Sequence, residues 1–192
     1  IEFFQPGGTF IIEAHGDSNE HGNDSNAYGQ RGFDYIARDE LGYDNTVDHP
    51  LFPERDRNKY DRLIFKAAAN DNYPFSNGGA HIRDAYVCQL SIEGNLHLDE
   101  RATRNCIVYI NGQYWGVYEV REKVDDTDFT KHYYDQPKGQ VDFLKTWGGT
   151  WAEYSAAPTF NPQATWNTFV NFCTTNSMAI PANYAYAVSQ YN

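Results

Sequence analysis

Apolar residues recur at every second position in several short runs of this chain, and at helical spacing in others. Residues 9–13 read as a strand, and residues 15–30 as a long polar loop rich in Gly, Asn, Asp and Ser. Residues 31–39 alternate apolar Phe33, Tyr35 and Ala37 with polar neighbours, a strand that ends at the Gly42 turn. Residues 59–66 form another strand, followed by a polar loop over 67–74 that contains Asn70 and Asp71. Ile82, Ala85, Tyr86 and Leu90 predict a helix over residues 81–92, preceded by Gly78-Gly79 and stopped by Gly94. Arg83 and Asp84 fall in its first turn, where the aspartate complements the helix dipole and the arginine opposes it, so Arg83 needs another partner.

The strongest local signal lies between residues 104 and 125. Two β-rich runs flank Asn111-Gly112, a dipeptide suited to a two-residue hairpin in which both central residues take positive φ. The first run carries Cys106, Val108 and Ile110 on one face and Ile107 and Tyr109 on the other, which reads as a buried central strand. The second run leads into Arg121, Glu122, Lys123 and Asp125, charges expected at the rim of a sheet. Beyond it, Asp126 or Thr127 caps a short helix to Tyr134 that Pro137-Lys138-Gly139 breaks. Residues 141–145 form a strand, and Trp147 to Trp151 an aromatic-glycine loop. Asn161-Pro162 starts a helix expected to bury Trp166, Phe169, Val170 and Cys173, and Pro181 opens a last helix with Tyr184 and Val188. The sum is an α+β fold, an antiparallel sheet with a central Asn-Gly hairpin and helices gathered towards the C-terminus.

A length of 192 residues allows one domain with a real core. No apolar run approaches a membrane span. The net charge of −11 disfavours nucleic acid as a partner and favours cations. Cys88, Cys106 and Cys173 show no paired spacing; Cys88 and Cys106 read as small core residues, and a disulfide is left open. The chain begins at Ile1 without an initiator Met or a signal peptide, and reads as a piece cut from a longer protein at both ends.

The chemistry is narrowed by elimination. The chain lacks a phosphate-binding GxxxxGK[ST], GxGxxG, HExxH and GxSxG, and its six histidines are scattered, which disfavours zinc. Acidic groups at strand ends remain: Asp125 and Asp142, with Glu119, Glu122 and Asp71 as neighbours. Oxygen ligands without His or Cys suit Mg²⁺, Mn²⁺ or Ca²⁺. Two such carboxylates fit phosphoryl transfer and fit a glycosidase pair equally. Asp17, Asn19, His21 and Gly22 resemble the opening of a calcium loop, but His21 and Tyr28 stand where oxygen ligands belong, so a solvated loop is the better reading. That loop and the Trp147/Trp151 pair leave a calcium- or glycan-binding module open.

Residues 110–125, Ile-Asn-Gly-Gln-Tyr-Trp-Gly-Val-Tyr-Glu-Val-Arg-Glu-Lys-Val-Asp, resemble the signature of the CotH family, the spore-coat-type atypical protein kinases and their secreted bacterial relatives. Gln30 to Arg38, Pro50-Leu-Phe-Pro53, Phe65 to Asp71, Ile82 to Ala85 and Val141 to Lys145 resemble further family segments in the same order, over about residues 9–145. The resemblance implies a reduced kinase-like fold that binds ATP with Mg²⁺ or Mn²⁺ (Ca²⁺ as the alternative) and phosphorylates Ser on a protein. It implies Asp125 as the catalytic acid and a metal ligand, Asp142 as a metal ligand, and Arg31, Asn70, Asp71, Arg83, Asp84 and Glu122 as cofactor-binding groups. Arg31 stands where the family usually has Lys, and the family's later Asp-Trp…Asn segment is absent from this sequence. The competing expectation is a non-catalytic structural or adhesive module on the same fold that assembles with its own copies. Localisation outside the cell or at its surface, as in a spore coat, follows from the resemblance.

Overall fold

A computed structural model describes the chain except residues 23–27, 73–78, 126, 137–139, 156, 158 and 192. The chain forms two compact units, Ile1–Tyr133 and Tyr134–Asn192. The first is built on a five-stranded antiparallel sheet of order β3-β4-β7-β9-β8. Its strands are β3 (Gly16–His21), β4 (Gly32–Ala37), β7 (Arg62–Lys66), β8 (Thr103–Ile110) and β9 (Gln113–Glu122). Two small antiparallel hairpins flank it, β1 (Glu2–Phe4) with β2 (Phe10–Glu13), and β5 (Val47–Asp48) with β6 (Lys59–Tyr60). Helix α1 (Arg83–Glu93) separates β7 from β8, and α2 (Thr127–Tyr134) follows β9.

Period-two alternation gives the sheet two unlike faces. Register places Phe33 opposite Phe65, Tyr35 opposite Leu63, Phe65 opposite Val120 and Cys106 opposite Tyr118. These residues form one core with Val47, Leu51, Phe52 and Tyr60. The Phe33 and Phe65 rings stack at 4.8 Å, and Phe52 meets Tyr60 edge-on at 5.5 Å. Burying each such large side chain is worth about 1.5–3 kcal/mol, so this face holds the unit together. The other face carries Asp34, Ile64, Lys66, Glu119 and Arg121, and α1 lies towards it.

Three expectations are corrected. Strand β8 is the sheet's edge and not its centre: Ile107 and Tyr109 are 60% and 61% exposed. Apolar residues on both faces of a run do not by themselves distinguish an edge from a centre. Residues 16–21 form a strand within the expected loop, because six in-register pairs to β4 outweigh the poor strand propensity of Gly-Asp-Ser-Asn. Asp17, Asn19 and His21 are thereby extended and share one face of a strand, so they do not wrap a calcium ion. The charges closing β9 are buried, with Glu119, Arg121 and Glu122 each at most 1% exposed.

Asn111 (φ 51°) and Gly112 (φ 76°) link β8 to β9. Glu122 shares the core face with Tyr118 and Val120. It accepts from Arg57 Nη1 at 3.2 Å, the Tyr133 hydroxyl at 2.9 Å and the Ala102 amide at 3.0 Å. Arg57 also pairs with Asp128 and stacks over Tyr60 at 4.7 Å. This network ties the 55–60 segment and α2 to the end of β9.

The second unit contains hairpin β10 (Phe143–Thr146) with β11 (Thr150–Tyr154), then α3 (Pro162–Thr175) and α4 (Pro181–Tyr191). Asn161 caps α3, its Oδ1 accepting from the Ala164 amide at 3.1 Å. Trp166 and Val170 remain 37% and 39% exposed, against the expectation that α3 buries them; this unit, taken alone, is too small to cover that face. All three cysteines are free thiols. The proposed cap at Asp126, the break at 137–139 and Gly78 lie outside the described residues.

Candidate functional site

The turn after β7 aims one carboxylate at the start of α1. Ala68 and Ala69 both have positive φ (59° and 48°), a conformation that costs about 1–2 kcal/mol for each non-glycine residue. Asn72, fully buried, holds the turn by donating from Nδ2 to the Ala67 carbonyl (2.8 Å) and to Gln30 Oε1 (2.9 Å). Gln30 donates in turn to the Val117 carbonyl at 2.8 Å. It lies so close to Gly116 that a Cβ there would sit 2.6 Å from its amide nitrogen.

So positioned, Asp71 accepts from the amides of Ala80 (3.0 Å), Ile82 (2.9 Å) and Arg83 (2.9 Å). Ile82, at the N-cap of α1, has no side-chain oxygen, and Asp71 does the capping from outside the helix. Arg83 Nε meets the same carboxylate at 2.9 Å, which supplies the partner its position against the dipole demands. Burial acts to raise the Asp71 pKa, but the three amides and the Arg83 charge outweigh it and hold the carboxyl below its usual range.

Capping fixes α1 so that Asp84 reaches the polar sheet face. There it pairs with Lys66 at the end of β7, and with Arg121 Nη1 at 3.4 Å. Arg121 Nη2 donates to Glu119 at 2.5 Å, and Glu119 lies directly across from Lys66. Burial raises the Glu119 pKa despite these cations, whereas Asp84, also penalised by burial, is held below its usual value by Lys66 and Arg121. A second chain of charges lies on the same face. His21 Nδ1 and Lys123 Nζ each approach Asp34 at 2.8 Å, and Lys123 is 3.4 Å from Asp125.

The structure brings Asp71, Arg83 and Asp84 together at the start of α1 and places Asp125 beside Lys123 at the end of β9. The other expected site residues have different surroundings. Arg31 is 56% exposed and pairs with Glu20 at 2.6 Å. Asn70 is exposed in the turn, and Glu122 is enclosed on the core face. Asp142 belongs to the second unit, where it is exposed and accepts from Ser155 Oγ at 2.7 Å.

Sequence reasoning passed over Lys66. Protein kinases carry their phosphate-binding lysine on the third strand and pair it with an acid on the helix that follows. Lys66 and Asp84 stand in that relation, since β3, β4 and β7 are the first three strands of the five-stranded sheet and α1 follows. A cation closing a strand, with an acid 18 residues later in the first turn of a helix, was the signal that could have found it.

The residues present fit a nucleotide's phosphates at Lys66, whose side chain is 21% exposed and already oriented by Asp84. Among the described residues no group of three or more His, Cys, Asp or Glu is placed to hold a metal ion. No described helix is long and apolar enough to cross a membrane.

Compared with known protein families, residues 13–169 match the one described as CotH kinase protein. No curated protein and no solved structure matches the chain significantly. The match covers most of the 192 residues and runs through both compact units, and the sheet, helix and lysine–aspartate pair agree with its kinase-like character. The chain belongs to the CotH kinase family.

Proposed function

We propose that this domain is a protein kinase that transfers the γ-phosphate of ATP, with Mg²⁺ or Mn²⁺, to Ser of a secreted or surface protein. The observation that carries the reading is the Lys66–Asp84 pair linking the third strand to the following helix. Lys66 binds phosphate oxygens, and Asp84 keeps its ammonium aimed along the sheet face. Asp71 holds α1, and with it Asp84, in place. Asp125 accepts the proton of the substrate hydroxyl, oriented by Lys123. ATP supplies the phosphoryl group, and a protein substrate accords with the family. The test is transfer of labelled γ-phosphate to serine-bearing polypeptides by the wild type, Lys66→Met and Asp125→Asn. Metal-dependent transfer lost in both variants supports the reading; transfer that survives in Lys66→Met refutes it.

A second reading rests on a separate observation. The open edge at β8 and the hairpin tip expose Ile107, Tyr109, Ile110, Tyr114 and Trp115 together. An apolar patch of this kind beside a strand edge favours a structural or adhesive module that assembles with copies of itself. Sedimentation of the wild type against Ile107→Lys decides it: a lysine-sensitive oligomer supports assembly, and a monomer at all concentrations removes it.

A further inference from the structure

The charges on the α1-bearing face of the sheet are arranged in opposite pairs. Asp84 pairs with Lys66 and Arg121, Glu119 with Arg121, and Asp34 and Asp125 with Lys123. Arg101 stands apart, because its guanidinium makes no hydrogen bond or ion pair with the described residues. Its place in the fold is well fixed. Ala102 beside it is fully buried in the core, and its backbone is clamped to Glu122 by the Ala102 amide to Glu122 Oε2 (3.0 Å) and the Glu122 amide to the Ala102 carbonyl (3.2 Å). Two residues on, Thr103 opens β8 directly across from Arg121 on the opposite face, which brings Arg101 to the Arg121 end of the sheet.

There Arg101 lies within electrostatic reach of Arg121, Asp125, Cys88 and Asp84. Burial and the neighbouring Arg121 both work against its charge, though a guanidinium stays protonated regardless. A desolvated cation without a hydrogen-bonding anion is costly, and the cost is recovered when an anion arrives. A second donor is in waiting nearby, because Arg121, 1% exposed, has no partner for its Nε–H among the described residues. The planar fork of a guanidinium matches an oxyanion better than any other ligand class.

We propose that Arg101, assisted by Arg121 Nε, is the receptor for a phosphate oxyanion on the α1 side of the sheet. The phosphate comes either from a nucleotide or from free orthophosphate. The nucleotide source rests on the kinase reading; the existence of the anion site does not.

The test is calorimetric titration of the full 192-residue chain, and of Arg101→Gln and Arg101→Lys, with Mg²⁺–ATP and separately with sodium phosphate. Ligand-free melting is followed in parallel. Removing one charge-assisted hydrogen bond to a bound anion weakens binding about tenfold or more. The expected result is weakening of that size in Arg101→Gln for whichever ligand binds, partial recovery in Arg101→Lys, and no fall in the ligand-free melting temperature. Phosphate binding that depends on Arg101, without ATP binding, supports the anion site and refutes its nucleotide source. ATP binding of unchanged affinity in Arg101→Gln, with no phosphate binding, overturns the proposal and leaves the kinase reading standing. If neither ligand binds the wild type, the proposal is overturned.

Discussion

Asp71 gives the sharpest test of how the site is held, because one carboxylate replaces the missing N-cap of α1. Three backbone amides and the Arg83 guanidinium converge on it. An ordinary N-cap is worth about 0.5–2 kcal/mol, and each charge-assisted hydrogen bond about 1.5–3 kcal/mol, with the terms far from additive. Asp71→Ala should therefore destabilise the first unit by about 3 kcal/mol, more than a usual cap and less than the sum of the bonds. At about 2–4 °C per kcal/mol for a chain of this length, that is a fall of about 6–12 °C in melting temperature. The pH dependence supplies a control. The folded pKa of Asp71 lies below its unfolded value of about 3.9, so its contribution is full above pH ~4 and is lost as pH falls through the folded pKa. Differential scanning calorimetry of wild type and variant at pH 7 and at pH 3 should show the gap narrowing in acid. A fall of less than about 2 °C at pH 7, or a gap that stays constant into acid, would refute the assignment of Asp71 as the cap.

Two further outcomes follow from buried groups. Burial pushes the Cys106 thiol up to about 12, so it stays protonated at pH 8. A maleimide should label it only after denaturant is added; rapid native labelling would contradict its place against the core. Glu122→Ala leaves Arg57 with half its ion pairing and removes the acceptor for Tyr133 and Ala102. Breaking such a buried pair costs about 3–5 kcal/mol, so thermal unfolding should begin about 10 °C earlier, and a loss of less than about 3 °C would show the network to be dispensable.

The elements that the sequence made legible are those encoded locally. The alternation of Phe33, Tyr35 and Ala37 marks β4, Asn111-Gly112 marks the β8–β9 hairpin, and Asn161-Pro162 marks the start of α3. What escaped depends on pairing over long sequence separations. Strand β3 is polar along its length and is extended only because β4 pairs with it and Arg38–Asp17, His21–Asp34 and Arg31–Glu20 link the two strands. The edge position of β8 is a property of sheet order, to which its own composition is blind. Asp71, Arg83 and Asp84 were found through family-like segments, yet the capping role of Asp71 spans up to 12 residues and leaves no local pattern. Lys66 was hidden because Arg31 held the place of the expected lysine in the family-like motif, while the cation that pairs with the α1 acid lies on β7.

The central claim is that Lys66, oriented by Asp84, receives nucleotide phosphate. The direct measurement is calorimetric titration of Mg²⁺–ATP into the wild type, Lys66→Ala and Arg31→Ala. The expected result is metal-dependent binding that Lys66→Ala abolishes and Arg31→Ala leaves within about threefold, as befits an exposed ion pair worth less than about 1 kcal/mol. Undiminished binding in Lys66→Ala, or loss of binding in Arg31→Ala alone, would contradict it.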